Sequence, residues 1–154
     1  MENGTTPDGI GHDIADALGT LLKRSVRATL YQELTEHLGE AVDEVSYPVL
    51  SGLARTGPCS AADLAGEVGL DRSGVSRRAS RLEAAGLIRR EPDPTDGRSV
   101  LLTLTERGTE TVAVMRRRLA ARITASLDSW PPDEARAFAR SLRRFTEEGP
   151  FGEP

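Results

Sequence analysis

Five side chains able to bond nucleic acid fall within one short stretch: Arg72, Ser73, Ser76, Arg77 and Arg81. An arginine fork can bridge two acceptors on guanine or grip a phosphate, and a serine is short enough to touch either phosphate or base. If Val75, Ala79 and Leu82 turn inward at helical spacing, these five are left facing outward. Ser73, Ser76 and Arg77 then lie at the start of a helix, suited to the major groove of duplex DNA, with Arg72 and Arg81 better placed for phosphate. The helix N-terminus adds its own positive end. The competing reading for each single arginine is a solvated surface charge. Local charge weighs against that for the group. From Arg72 to Arg90 there are six arginines and one acid, a net charge of +5, whereas the residues before Ser46 carry three bases and nine acids, a net charge of −6. A basic element thus sits on an acidic chain of pI about 5.3. Because Lys23 is the only lysine, the preference for arginine reflects the chain's general usage and is not evidence of base reading.

Other chemistries find little support. His12 and His37 lie in the acidic first segment with no nucleophile pattern and no metal-ligand spacing around them, so surface histidines are expected, and no glycine-rich phosphate loop follows a strand. Neither an enzyme, a cofactor nor a metal is expected. The single Cys59 allows no intrachain disulfide and no structural zinc cluster; it is read as a small packed hydrophobe, with a redox-responsive thiol as the alternative. No apolar run approaches a membrane span and the first residues lack a signal-peptide pattern, so a cytoplasmic protein is expected.

The elements that would position the basic stretch can be read outward from it. Ser60 caps a helix running Ala61 to Val68, with Asp63 in the reaching-back position of a capping box. Gly69 supplies a left-handed turn, Asp71 caps the basic helix, and Gly86 ends it. Small Ala65, Gly69 four residues later and β-branched Val75 six after that fit a helix-turn-helix. Periodicity then changes. Leu87 to Glu91 and Ser99 to Leu104 flank the turn-rich Pro92-Asp93-Pro94-Thr95-Asp96-Gly97, which reads as an antiparallel hairpin, or wing. Thr105 caps a long helix bearing Val112, Met115, Leu119, Ile123 and Leu127. Pro131-Pro132 precedes a last helix with Ala135, Phe138, Leu142 and Phe145 as a seam. At the other end, apolar residues recur every fourth position from Ile10 to Leu38, predicting one helix, or a pair broken near Gly39. A shorter helix with Val49, Leu50, Leu53 and Ala54 follows Pro48. Disorder is expected only in the first nine or so residues and in the tail from Gly149.

Residues from about Tyr47 to Gly108 resemble the winged helix-turn-helix of the MarR (multiple antibiotic resistance regulator) family. The motifs that carry this are Asp71-Arg72-Ser73-Gly74-Val75-Ser76-Arg77, Arg81-Leu82-Glu83-Ala84-Ala85-Gly86-Leu87, Asp93-Pro94-Thr95-Asp96-Gly97-Arg98 and Leu104-Thr105-Glu106-Arg107-Gly108. The chain departs from the family pattern at Gly74, where a side chain is usual, and at Arg78, where an apolar residue is usual; both bear on base specificity.

The resemblance implies a mainly α fold with a small β-hairpin wing: N-terminal dimerisation and linking helices over 10–45, a winged helix-turn-helix DNA-binding lobe over 46–108, and C-terminal dimerisation helices over 109–148. It implies a homodimer on double-stranded DNA, acting as a ligand-responsive repressor on a roughly palindromic operator. It places Arg98 in the minor groove and gives Asp96 the role of steadying the wing through an ion pair, against the plainer reading of a turn residue before Gly97. It also implies a small anionic or aromatic effector, for which Arg24, Arg27, Tyr31 and Tyr47 are the candidate lining, the competing reading being interface or surface residues. A winged helix used only for protein contacts is the remaining alternative; it leaves six arginines around one helix without a purpose.

Overall fold

The computed structural model describes residues 7–150. They divide into two units, one up to Arg116 and one from Arg117. The elements run α1 (Pro7–Leu22), α2 (Arg24–Thr35), α3 (Tyr47–Thr56), β1 (Cys59–Ser60), α4 (Ala61–Val68), α5 (Arg72–Ala84), β2 (Ile88–Pro92), β3 (Val100–Leu104), α6 (Glu106–Leu127) and α7 (Pro132–Glu148). The mainly helical fold with a wing is therefore present. Most of the expected terminal disorder falls outside the described residues, although Pro7 already opens α1.

The N-terminal pattern is divided differently from the expectation. The chain breaks at Lys23, whose backbone is extended (φ −54°, ψ 131°), and the second helix ends at Thr35. An apolar residue every fourth position drifts about 40° per step around a helix, so one straight helix cannot keep such a stripe on one face, and the break resets it. Gly39 (φ 115°) and His37 (φ 60°) belong instead to a turn-rich segment that leads into α3.

The first unit holds the core. Val49, Leu50 and Leu53 of α3, Leu64 and Ala65 of α4, Val75, Ala79 and Leu82 of α5, Leu87, Ile88 and Leu102 of the sheet, and Val112 and Met115 of α6 form one buried cluster. The predicted inward face of α5 is confirmed: Val75, Ala79 and Leu82 have no exposed surface. Burying each larger side chain contributes about 1.5–3 kcal/mol, enough together to hold α5 down along its length. Gly52 permits a close approach of α3 and α4, since a Cβ there would lie 2.6 Å from Val68 Cγ1.

The sheet has three strands in the order β1-β3-β2. The hairpin runs Ile88 opposite Leu104 to Pro92 opposite Val100, and β3 also pairs Leu101 and Leu102 with Ser60 and Cys59. One further bond, from the Asp93 amide to the Ser99 carbonyl at 3.0 Å, closes the hairpin beyond Pro92, and the wing tip begins there.

In the second unit, which holds the end of α6 and all of α7, α7 buries no residue. Trp130 and Phe138 lie against each other with ring centroids 5.5 Å apart, yet both stay more than two-fifths exposed, and Leu142 and Ile123 nearly half exposed. No helix among the described residues is long and apolar enough to cross a membrane.

Candidate nucleic-acid interface

Two capped helices and a left-handed turn build the helix-turn-helix. Ser60 Oγ accepts from the Asp63 amide at 3.1 Å and donates to the Asp63 carboxylate at 2.7 Å. Gly69 closes α4 in the left-handed region (φ 66°). At the start of α5, Asp71 Oδ1 accepts from the Ser73 hydroxyl at 2.6 Å and the Gly74 amide at 2.5 Å. Those two bonds hold the Asp71 carboxyl below its ordinary value, so it stays ionised beside the helix's positive end. Gly86 follows α5 with φ 71°, as expected for a left-handed helix end.

The wing tip is shaped by two aspartates. Asp93 Oδ1 accepts from the Thr95 hydroxyl and amide at 2.7 and 2.8 Å, which lowers its pKa. Asp96 Oδ1 accepts from the Arg98 amide at 3.0 Å, and Ser99 N–H closes the turn on the Asp96 carbonyl at 2.8 Å. Asp96 makes no ion pair among the described residues, so its geometry is that of a turn residue presenting Arg98.

Between wing and α5 lies an open groove of about 520 Å³ lined by Arg72 and Ser76 of α5, Arg90 of β2, Asp96, Arg98 and Ser99 of the wing, and the first residues of α4. Arg72 and Arg98 make no side-chain bond among the described residues, and Arg77 is exposed with only a 3.3 Å bond to Ser73 Oγ. Two cations, Arg72 and Arg98, are therefore uncommitted in this groove, and Arg77 is held only by Ser73 on its own helix. The other arginines are engaged within the chain. Arg90 pairs with Glu83 and donates to Ser80 Oγ at 3.1 Å; Arg89 pairs with Glu91. Arg81, expected on phosphate, instead grips Asp43 at 2.7 Å and the Glu40 carbonyl. Arg78 donates to the Val45 carbonyl at 3.0 Å and the Gly74 carbonyl at 2.9 Å. The tethers from Arg78 to Val45 and from Arg81 to Glu40 reach 33 and 41 residues back along the chain, and no local spacing signals them.

Of the candidate effector residues, Tyr31 and Tyr47 come together as a stacked pair, centroids 4.3 Å apart and planes 23° from parallel. Arg27 and Arg24 are exposed, one and two turns before Tyr31 on α2. The open groove at the end of α2, about 710 Å³, is lined by Glu33, Glu36, Asp43 and Glu44 and is the wrong sign for an anion. Cys59 is half-buried, its Sγ 3.4 Å from Thr56 Oγ1. His37 is exposed beside Glu36.

Comparison with known proteins settles the family. The MarR family model matches residues 42–99. A helix-turn-helix transcriptional regulator of Bacillus subtilis, YxaD, is 32% identical over 122 residues, covering 79% of this chain and 85% of that protein. The chain belongs to the MarR family. Like other MarR proteins it is a DNA-binding transcriptional regulator with a winged helix-turn-helix. Among solved structures, Rv1404 of Mycobacterium tuberculosis is 27% identical with a TM-score of 0.68, covering 97% of this chain and 99% of that one. BpsR of Bordetella bronchiseptica, whose DNA binding is regulated by 6-hydroxynicotinic acid, is 25% identical with a TM-score of 0.57, covering 89% and 98%.

Proposed function

We propose that this MarR-family regulator binds a roughly palindromic operator as a homodimer, with α5 of each copy in the major groove and each wing in the adjacent minor groove. The observation that carries this is the groove between α5 and the wing, where Arg72 and Arg98 make no side-chain bond among the described residues while Arg90 is paired, with Arg77 exposed further along α5. Ser73, Ser76 and Arg77 face the major groove in this reading, and Arg72 lies against phosphate. Arg98 enters the minor groove, where a narrow A·T-rich tract strengthens the negative potential. The protein's two-fold symmetry then requires half-sites about one helical turn apart.

Dimerisation is assigned to the terminal segments, 10–45 and 109–148, with 46–108 as the reading lobe. Supporting this, Ile10, Ile14, Leu21 and Leu22 on the first helix and Trp130, Phe138 and Leu142 on the last segment are apolar and substantially exposed in the single chain, a state that a second copy would relieve. Repression is the commoner behaviour in the family and is the mode proposed here. The effector is a small aromatic anion on the Arg24, Arg27 and Tyr31 face of α2, beside the Tyr31–Tyr47 stack; BpsR's regulation by 6-hydroxynicotinic acid supports that class. The protein acts in the cytoplasm and carries out no catalysis.

The test is selection of bound duplexes from a random library, followed by affinity for the winner and a scrambled control across a salt series. A palindromic winner favoured by about 10³-fold or more, with affinity falling steeply in salt, is expected. Arg77→Ala and Arg98→Ala should each weaken specific binding with the dimer intact. No enrichment by folded protein would overturn the reading in favour of a winged helix for protein contacts.

A further inference from the structure

The segment joining α2 to α3 is fastened to α5 by two arginines, Arg78 and Arg81, the second of which sequence alone would send to phosphate. Arg81 bridges Asp43 Oδ2 and the Glu40 carbonyl, and Arg78, one turn earlier, reaches the Val45 carbonyl. Asp43 is fixed at its other oxygen as well: Oδ1 accepts from the Ser46 amide at 2.8 Å and the Val45 amide at 3.2 Å. Ser46, only 2% exposed, answers by accepting from the Asp43 amide at 2.9 Å and donating to the Asp43 carbonyl at 3.1 Å. One carboxylate therefore shapes the turn that starts α3 and holds the guanidinium of the DNA-facing helix.

We infer that Asp43 is a positioning residue for the recognition helix, acting through Arg81 to set the rotation of α5 and hence where Arg77 points. The apolar residues that seat α5 on the core, Val75, Ala79 and Leu82, all lie on its inward face, so its flanks are held by polar tethers. Arg77 immediately precedes Arg78, about 100° around the helix. A rotation of about 10° would move the helix surface by about 1 Å, enough to spoil a bidentate contact with a base edge. The tethers at Arg78 and Arg81 on one flank, and from Arg90 to Ser80 and Glu83 on the other, oppose that rotation. Arg81 is accordingly a structural cation and not a phosphate contact.

This rests on α5 being the helix that reads DNA, so Arg77→Ala is the control: if it leaves specific affinity unchanged, that reading fails before Asp43 is considered. Given a weakened Arg77→Ala, the experiment is a double-mutant cycle of Asp43→Asn and Arg81→Gln, with dissociation constants for the selected duplex from 50 to 200 mM salt and circular dichroism to check folding. Asparagine keeps an oxygen for the Ser46 amide and puts an NH2 donor where Oδ2 accepted from Arg81, so both the charge and the hydrogen bond that hold Arg81 are lost. Each single variant should bind the selected duplex about 5- to 10-fold more weakly, the double variant no worse than either, and the salt slope should stay that of the wild type. Two results overturn the inference: an Asp43→Asn that binds as well as or better than wild type, or an Arg81→Gln whose salt slope is shallower by about 0.9 for each phosphate it no longer neutralises. If Asp43→Asn is unfolded, Arg81→Gln alone still decides through its slope.

Discussion

Adding a single methyl group at Gly108, in the first turn of α6, should loosen the whole DNA-binding lobe. A Cβ built there meets the Leu87 carbonyl oxygen at 1.9 Å, its carbon at 3.0 Å and Leu104 Cδ2 at 3.2 Å. Ordinary contact begins near 3.4 Å, so α6 and the start of β2 would have to separate by about 1.5 Å, the difference between those two distances. The same Leu87 oxygen accepts from the Thr105 amide at 3.0 Å, and that bond cannot survive such a shift. Overpacking costs about 1–3 kcal/mol, and leaving the buried acceptor unpaired about 1–3 kcal/mol. Alanine's better helix propensity returns about 1 kcal/mol. Gly108→Ala should therefore destabilise by about 1–5 kcal/mol, a large share of the roughly 5–15 kcal/mol that holds a domain folded. Urea unfolding followed by far-ultraviolet circular dichroism, at one fixed protein concentration, would read this as a lower midpoint with an unchanged slope. With a slope of about 2 kcal/mol per molar, a loss near 3 kcal/mol moves the midpoint by about 1.5 M. An unchanged or higher midpoint would refute the seating of α6 on the Leu87 backbone.

Gly74→Ala makes the opposite test: the Cβ there meets only the flexible end of Arg78 (Nη1, 2.9 Å) and Asp71 Oδ1 at 3.2 Å. Its urea midpoint should thus lie within about 1 kcal/mol of wild type, the helix propensity gained offsetting the adjustment of Arg78. Acid should erase the contribution of Asp43. Partial burial by itself raises its pKa, but the Ser46 amide hydrogen bond and the Arg81 bond outweigh that and leave it below 3.8. A depressed folded pKa favours folding above 3.8 and loses that benefit as pH falls through the lower folded value; the stability gap between wild type and Asp43→Asn should be widest near neutrality and close in that acid window. For assembly, Leu142→Asp should shift sedimentation from twice the 16.6 kDa chain mass toward the single chain, and Trp130, the only tryptophan, should move its emission to longer wavelength as it loses cover.

The helix-turn-helix was legible because its signals are local. Ser60, Gly69, Asp71 and Gly86 each act within a few residues of themselves, and each cap or turn formed where its residue type required it. Val75, Ala79 and Leu82 could be read as a face for the same reason. The break at Lys23 was not legible, since no glycine or proline marks it and the apolar stripe runs straight through. Strand β1 was missed because two residues carry no period; it exists only through its partner on β3. At the candidate site, outward-facing residues could be read from periodicity, but which arginines are free could not. Arg81 and Arg77 look alike in sequence and differ only because Asp43 and Glu40, far back in the chain, fold against one of them.

The order of strands has a bearing on how the lobe is made in the cell. Strands β1 and β2 pair with β3 and not with each other, and β3 is the last of the three to be synthesised. A nascent chain that has reached the wing tip holds the whole of α5 but no sheet for it to lean on, and neither Thr105 nor Gly108 has arrived to seat on Leu87. Helices α3 and α4 are already there for α5 to pack on, but the lobe can complete its closure only after Gly108 has cleared the ribosome. Products truncated within the wing would lack Leu102, Val112 and Met115 and so leave part of the core uncovered, open to proteases and aggregation before they could compete for DNA.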